Sequence, residues 1–202
     1  MNLLEYYDNI TANCFELFVN KNQDYGPTWL LYRLSSINDE IWRKVKRIRT
    51  LEENNDQASI PEGRDVEYVG IINYSIMFLI RLNDSGLPAS DDIVNDISTM
   101  EKIDKQYLYD AYRNNIDTVR DLLSKKNHDY GNAWQSMSIK SLTDQVIIRT
   151  FRIRKILENK GKCVASEGIT AQLHDIINYS VFALIKMESR RRHNGEITGS
   201  KI

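Results

Sequence analysis

The sequence predicts an all-α protein built from two tandem repeats of a small helical bundle, and three observations support this. Apolar residues recur at helical spacing over 3–19 and 37–51, and residues 64–83 are apolar nearly all round, as in a buried central helix. The chain has only 3 prolines, which leaves long stretches free to form helix, and no convincing pair of strands is present. Segments of the first half also return in the second half.

The duplication is visible in two matching motifs. KNQDYGPTW at 21–29 returns as KNHDYGNAW at 126–134, and IINYS at 71–75 returns at 176–180, in both cases 105 residues later. Aligned without a gap, 20 of the 55 residues at 21–75 are identical to those at 126–180, where roughly three or four would match by chance. Each repeat would hold three to four helices around a small core, and the two would pack as a pseudo-twofold pair. The expected domains are a first repeat at 1–88, a connecting helix at 89–103, a second repeat at 104–190 and a disordered polar tail at 191–202.

Capping residues indicate where these helices begin and end. Gly26 and Gly131 indicate where the first helix of each repeat ends, because a left-handed glycine after polar residues suits a helix C-terminus. The third helix opens on Glu62 or Glu167, whose negative charge suits the helix dipole. Ser90, followed by two aspartates, predicts the start of the connecting helix.

Composition and charge exclude several classes of protein. The 27 Lys and Arg residues balance 28 Asp and Glu residues, which argues against strong non-specific binding to nucleic acids. The two cysteines, Cys14 and Cys163, fit neither a disulfide framework nor a zinc pair. The longest apolar run, 71–82, is too short for a membrane helix, and the N-terminus lacks a signal-peptide pattern. We therefore expect a cytoplasmic protein without a membrane partner, and the sequence leaves a homo-oligomer open.

Polar residues that both repeats keep are the candidates for a functional site. Lysine offers a charge to phosphate, aspartate offers oxygen ligands to a hard cation, and aromatic rings offer a stacking surface to a base. A capped turn, a solvated ion-pair face or a buried hydrogen-bond network would explain the same residues without a ligand. The nucleotide- or phosphate-binding candidates are Lys126, Asn127, Asp129, Tyr130, Arg149, Arg152 and Asn178 in the second repeat, with Trp134 as a further base contact, and Lys21, Asn22, Asp24, Tyr25, Lys44, Arg47 and Asn73 in the first.

The second repeat is better equipped with carboxylates than the first. Asp175 stands where the first repeat has Gly70. If Asp144, Glu167 and Asp175 converge, they provide three carboxylates for Mg²⁺. A metal site should therefore be better formed in the second repeat, or be shared between the halves. The corresponding metal-ligand candidates of the first repeat are Asp39 and Glu62.

The combined motif resembles a known family. The pattern K-N-x-D-Y-G-x-x-W, then Asp with basic residues five and eight positions on, then Glu with N-Y eleven positions on, is similar to the nucleotide modification associated domain family, type one. This bacterial and phage family, formerly a domain of unknown function, appears twice in some members, and the resemblance implies a link to nucleotide metabolism or base modification. Members carry two further acidic residues after the Glu; the positions here are Val66 or Ala171, and Gly70 or Asp175.

Three functions are compatible with these patterns. The first is a Mg²⁺-dependent nucleotide phosphohydrolase or pyrophosphohydrolase, or its degenerate relative, similar in logic to MazG-type all-α enzymes in which carboxylates hold Mg²⁺ and basic residues hold phosphates. The second is a non-catalytic module that binds a nucleotide or a partner. The third is a structural bundle whose shared polar residues form a buried network.

Overall fold

The computed structural model describes residues 2–54, 56, 57, 59, 62–84, 86–88, 93–163 and 167–193. Within these residues the chain forms seven α-helices, two short 3-10 helices and no β-strand, which confirms the predicted all-α class. The α-helices are α1 (Leu3–Tyr25), α2 (Leu34–Glu53), α3 (Arg64–Asn83), α4 (Ile93–Glu101), α5 (Lys105–Tyr130), α6 (Ile139–Glu158) and α7 (Ile169–His193), and the 3-10 helices are η1 (Thr28–Leu31) and η2 (Ala133–Ser136).

The order of the helices repeats along the chain. A long helix, a 3-10 helix and two further helices occur as α1, η1, α2 and α3, and again as α5, η2, α6 and α7, with α4 between the two sets. Side-chain caps begin both long helices. The Asn2 side chain accepts a hydrogen bond from the Glu5 amide at 3.0 Å, and the Asp104 side chain accepts one from the Gln106 amide at 2.9 Å. The architecture is therefore the predicted tandem duplication.

The core of the protein is shared by the two repeats. Helices α3 and α7 pack against each other, α2 and α6 pack on their outer sides and contact each other, and α1 and α5 cover the remaining face. Buried apolar residues of both repeats form one contiguous cluster, so the two separate cores expected from the sequence are merged into one. Nearly all residues of α3 from 67 to 80 are buried, as its apolar sequence predicts. None of the described helices, α3 included, has the length and apolar character needed to cross a membrane.

One predicted boundary can be compared with the described residues, and another lies outside them. Helix α7 continues to His193, so the first three residues of the predicted polar tail are helical, and residues 194–202 lie outside the described part of the chain. Helix α4 begins in the structure at Ile93, and the predicted start at Ser90 also lies outside the described residues.

Two ion pairs cross between the repeats and reveal their pseudo-twofold relation. Arg49 of α2 contacts Asp144 of α6 with 3.4 Å between Nη1 and Oδ1, and Arg154 of α6 contacts Asp39 of α2 with 3.0 Å between Nη2 and Oδ1. Each residue of one pair is the repeat equivalent of a residue in the other. Both aspartates therefore link the two repeats at the α2–α6 contact.

Replacing these two aspartates together, as Asp39→Asn and Asp144→Asn, is expected to have a small effect on stability. Their side chains are 65% and 55% exposed, and exposed ion pairs contribute only about 0–1 kcal/mol each. Because two pairs are removed, urea denaturation should show a decrease of about 2 kcal/mol or less in the free energy of unfolding. A much larger decrease would mean that these aspartates do more than form surface pairs.

Candidate functional site

A cavity in the second repeat brings several of the candidate residues together. It has a volume of about 310 Å³ and is enclosed by residues of α5, η2, α6 and α7. Ligand pockets in proteins commonly measure about 300–1,000 Å³, so this cavity is large enough for a small ligand. The predicted residues that line it are Lys126, Asn127, Tyr130, Trp134, Arg149, Asp175 and Asn178.

Two cations and one carboxylate form the charged wall of this cavity. The Lys126 ammonium lies 2.9 Å from Oδ1 of Asp175, and Nε of Arg149 lies 2.9 Å from Oδ2 of the same carboxylate. The Arg149 guanidinium is also held by Gln145 at 2.6 Å and lies 4.6 Å from the centroid of the Tyr179 ring. The side chains of Arg149 and Asp175 are mostly buried. The group carries one net positive charge in a fixed arrangement.

His174, the neighbour of Asp175 on α7, adds no charge at neutral pH. Burial lowers the pKa of its imidazole below the ordinary value, the positive charge of Lys126 lowers it further, and Asp175 opposes both effects. The positive charge of the cavity wall therefore comes from Lys126 and Arg149.

Another part of the cavity lining is aromatic and contains polar atoms without partners. Trp134 of η2 stacks on Phe182 of α7, with ring centroids 4.6 Å apart and an interplanar angle of 5°. The indole Nε1 of Trp134 and Oδ1 of Asn178 are both buried, and within the described residues neither has a hydrogen-bond partner. Such atoms are uncommon, because an unsatisfied buried donor or acceptor costs about 1–3 kcal/mol.

In the first repeat the equivalent polar atoms have partners. The indole Nε1 of Trp29 donates to Oδ1 of Asn22 at 3.1 Å, and the Tyr112 hydroxyl donates to Oδ1 of Asn73 at 2.6 Å. Trp29 is 7% exposed and packs in the core, whereas Trp134 is half-buried. The two copies therefore differ at the same positions. In the first, these atoms are paired, with Asn22 of the same repeat and with Tyr112 of α5 in the second repeat, whereas the second copy is open.

The turn after the long helix also differs between the two repeats. Gly26 has φ 67° and ψ −175° and is followed by Pro27, which is buried. Gly131 has φ 56° and ψ 42°, and the next residue, Asn132, is also left-handed with φ 60°. A proline disfavours helical ψ in the residue before it, so the Pro27 turn cannot readily adopt the second path. The turn sequence thus contributes to the different burial of Trp29 and Trp134.

In the first repeat the carboxylate that pairs with cations belongs to Glu67. It lies about one helical turn before Gly70, the repeat equivalent of Asp175. Buried Glu67 contacts Lys44 at 3.2 Å and forms a second ion pair with Arg47. A Cβ added at Gly70 would lie 2.5 Å from Cε of Lys44, so the lysine stem occupies the space beside the glycine. In the second repeat the same two positions are Gln172 and Asp175.

Comparison with known families agrees with the duplicated motif. The model of a family described as nucleotide modification associated domain 1 matches the chain twice, at residues 21–82 and 126–187, which together exceed half of its length. The chain belongs to this family. No curated protein and no solved structure matches the chain significantly. The protein thus contains two tandem nucleotide modification associated domains, as the sequence predicted.

The candidate residues outside the cavity are either exposed or engaged in contacts within the fold. In the second nucleotide modification associated domain, Asp129 and Arg152 are exposed and do not line the cavity. The first domain has exposed residues after its long helix and polar residues that are engaged within the fold. The exposed ones are Lys21, Asp24 and Tyr25, and the engaged ones are Asn22, Lys44, Arg47 and Asn73.

The three carboxylates predicted to bind Mg²⁺ do not form one group. Asp144 contacts Arg49 of the other domain, and Glu167 is exposed. Both oxygens of Asp175 accept hydrogen bonds from cations. In the described part of the chain, no three His, Cys, Asp or Glu side chains are placed to hold a metal ion. The structure thus does not bring the three carboxylates into a ready-made site, and Mg²⁺ binding stays a prediction from sequence. In the first domain, Asp39 pairs with Arg154, and Glu62 is exposed with its carboxylate 3.9 Å from Arg47.

Glu67 pairs with the cations of the first repeat as Asp175 pairs with those of the second, but a comparison of shared residues overlooks it. A search for residues shared by both domains excludes it, because its counterpart is Gln172. The informative signal is a paired change: Glu67 and Gly70 in one domain correspond to Gln172 and Asp175 in the other. Positions three apart lie on the same face of a helix, so the carboxylate is kept on that face and moved by about one turn.

Proposed function

We propose that the second nucleotide modification associated domain binds a nucleotide without catalysing its hydrolysis, in the cavity between α5, η2, α6 and α7. The single observation that carries this proposal is the combination of two fixed cations with unpartnered buried polar atoms around one open cavity. The first domain, whose equivalent atoms are paired, serves as a structural copy.

The charged wall is suited to a phosphate group. Lys126 and Arg149 approach the same carboxylate from two sides, so their positions are fixed before a ligand arrives. One negative charge cannot neutralise both cations, and a phosphate carries more charge than Asp175 and several acceptor oxygens. Arginine and lysine are the side chains that bind phosphate best, through charge-assisted hydrogen bonds.

The aromatic side is suited to a base. The stacked pair of Trp134 and Phe182 presents flat apolar surface, on which nucleobases stack. Trp134 Nε1 is a free donor and Asn178 Oδ1 a free acceptor among the described residues. The edge of a base carries both acceptors and donors. Because both atoms are buried in the unliganded protein, a base would pair with them only after the Trp134 side chain shifts, and it would then remove their desolvation cost.

The charges favour binding over metal-dependent hydrolysis. A Mg²⁺-dependent phosphohydrolase needs carboxylates with free oxygens near the phosphate, and the one carboxylate in this cavity is already occupied by two cations. An anion would relieve the excess positive charge, whereas a divalent cation would add to it.

Thermal denaturation with a panel of ribo- and deoxyribonucleotides tests this function. A ligand that binds only the folded protein raises the midpoint of unfolding. We expect at least one nucleotide to raise it, to do so equally in EDTA, and to be recovered intact after incubation with Mg²⁺. Inorganic phosphate should give a smaller shift, because it cannot stack. No shift with any nucleotide, or a shift that EDTA abolishes, would refute the proposal.

A further inference from the structure

In the first repeat, helix α4 covers the 3-10 helix and the end of α3. Arg81 of α3 donates hydrogen bonds to the carbonyl of Leu30 and, at 2.8 Å, to that of Tyr32. Helix α4 packs on η1, and its Asp96 is buried and close enough to Arg81 to interact with its charge. Burial lowers the pKa of the Arg81 guanidinium, and Asp96 opposes that effect. The negative charge of Asp96 on α4 thus stabilises the partly buried guanidinium of Arg81.

The second repeat has an equivalent surface, formed by η2 and the end of α7, and no helix of the described residues packs on it as α4 packs on η1. Lys186 of α7, the equivalent of Arg81, donates to the carbonyl of Gln135 at 2.6 Å, and Gln135 is the equivalent of Leu30. Here the surface is an open groove of about 780 Å³, bordered by the start of α1, η2 and the end of α7. The groove therefore occupies the pseudo-symmetric position of α4.

Exposure of the equivalent residues supports this correspondence. Leu30 of η1, on which α4 packs, and Leu108 of α5 are 1% and 0% exposed. Their counterparts Gln135 and Leu3 are exposed and half-buried, and both line the groove. The apolar part of its wall also includes Tyr6 and Ile185.

The charge of the groove indicates what kind of partner would fit. Lys186 and Arg190 both line it, and no carboxylate is found among the described residues that do so. Burial and the neighbouring charge of Arg190 lower the pKa of Lys186, so the ammonium lacks the compensation that Asp96 gives in the first repeat. An apolar surface with two cations is complementary to a helix that carries an acidic residue among apolar ones.

We propose that this groove docks a short acidic amphipathic helix of a partner protein, in the way that α4 covers the first repeat. The occupant resembles α4 in chemistry: about two turns long, apolar on one face, with an aspartate or glutamate directed at Lys186. The proposal does not depend on nucleotide binding, since Lys186 and Arg190 lie outside the nucleotide cavity, although Trp134 borders both the groove and the cavity.

A fluorescein-labelled peptide with the sequence of α4, IVNDISTME, is a direct probe for the groove. In fluorescence anisotropy titrations with the whole protein, we expect saturable binding that weakens as salt is added. Binding should fall at least tenfold with Lys186→Glu and with Arg190→Glu. Arg190 is exposed, so its variant remains informative if Lys186→Glu does not fold. Lys140→Glu, an exposed site outside the groove with the same change of charge, should leave binding unchanged.

Four outcomes would overturn the proposal. The first is the absence of saturable binding, and the second is equal binding by the wild type and Arg190→Glu. The third is binding only by a chain that ends at His193, which would assign the groove to residues 194–202 of the chain itself. A peptide with Lys in place of the aspartate of α4 should bind more weakly, and equal binding by it would also overturn the charge argument.

Discussion

Replacing Glu67 with Gln is expected to lower the free energy of unfolding by about 2 kcal/mol. Glu67 is 5% exposed and is the carboxylate that Lys44 and Arg47 share. Removing one partner of a fully buried ion pair costs about 3–5 kcal/mol, and these two cations retain some contact with water, which reduces the cost. Urea denaturation followed by circular dichroism measures the change.

The same experiment has an internal rescue. Gly70→Asp, added to Glu67→Gln, gives the first repeat the same pair of residues as Gln172 and Asp175. The new side chain requires only that the flexible end of Lys44 moves aside. We expect the double variant to regain most of the stability that Glu67→Gln loses, and Gly70→Asp alone, which keeps Glu67, to be no more stable than the wild type. A double variant no more stable than Glu67→Gln would contradict the idea that the carboxylate is exchanged along one helix face.

Replacing Arg149 with Met is expected to weaken nucleotide binding about ten- to a hundredfold. A hydrogen bond to a charged group is worth about 1.5–3 kcal/mol, and each 1.4 kcal/mol corresponds to about a factor of ten in Kd. Isothermal titration calorimetry with the nucleotide that gives the largest thermal shift measures this change. Lys126→Met should act in the same direction with a smaller effect, because Lys126 is more exposed than Arg149.

Lys44→Met is the matched control for the Arg149 variant. Lys44 is the repeat equivalent of Arg149 and contacts Glu67 in the closed copy. Its replacement should leave nucleotide affinity unchanged, although it lowers stability. If Lys44→Met weakens binding as much as Arg149→Met does, the ligand does not bind selectively to the second repeat.

Much of the fold follows from the sequence, for identifiable physical reasons. Helical periodicity and the scarcity of proline define the long helices, and the offset of 105 residues defines the repeat. The apolar run in α3 predicts its central place. A single merged core does not follow from these patterns. Helices α3 and α7 have apolar surface on more than one side, and the sequence pattern does not indicate that these two helices pack against each other.

The candidate site could be predicted only in part. The sequence predicts Lys126 and Arg149 as phosphate contacts and Asp175 as a metal ligand. All three line one cavity in the structure, where Asp175 is paired with the two cations. Asp39 and Asp144 are shared by both repeats because they bind arginines across the pseudo-twofold, so their retention reports an interface. The difference between an open and a closed copy depends on a turn and on hydrogen bonds to Trp29 and Trp134, which residue identity alone does not reveal.

The stoichiometry of nucleotide binding tests the central claim most directly. Equilibrium dialysis at saturating nucleotide should give one bound molecule per chain. At a nucleotide concentration near the wild-type Kd, Arg149→Met should bind little nucleotide, whereas Lys44→Met should bind as much as the wild type. Two bound molecules per chain would contradict the assignment of the first repeat as closed, and none would contradict nucleotide binding altogether.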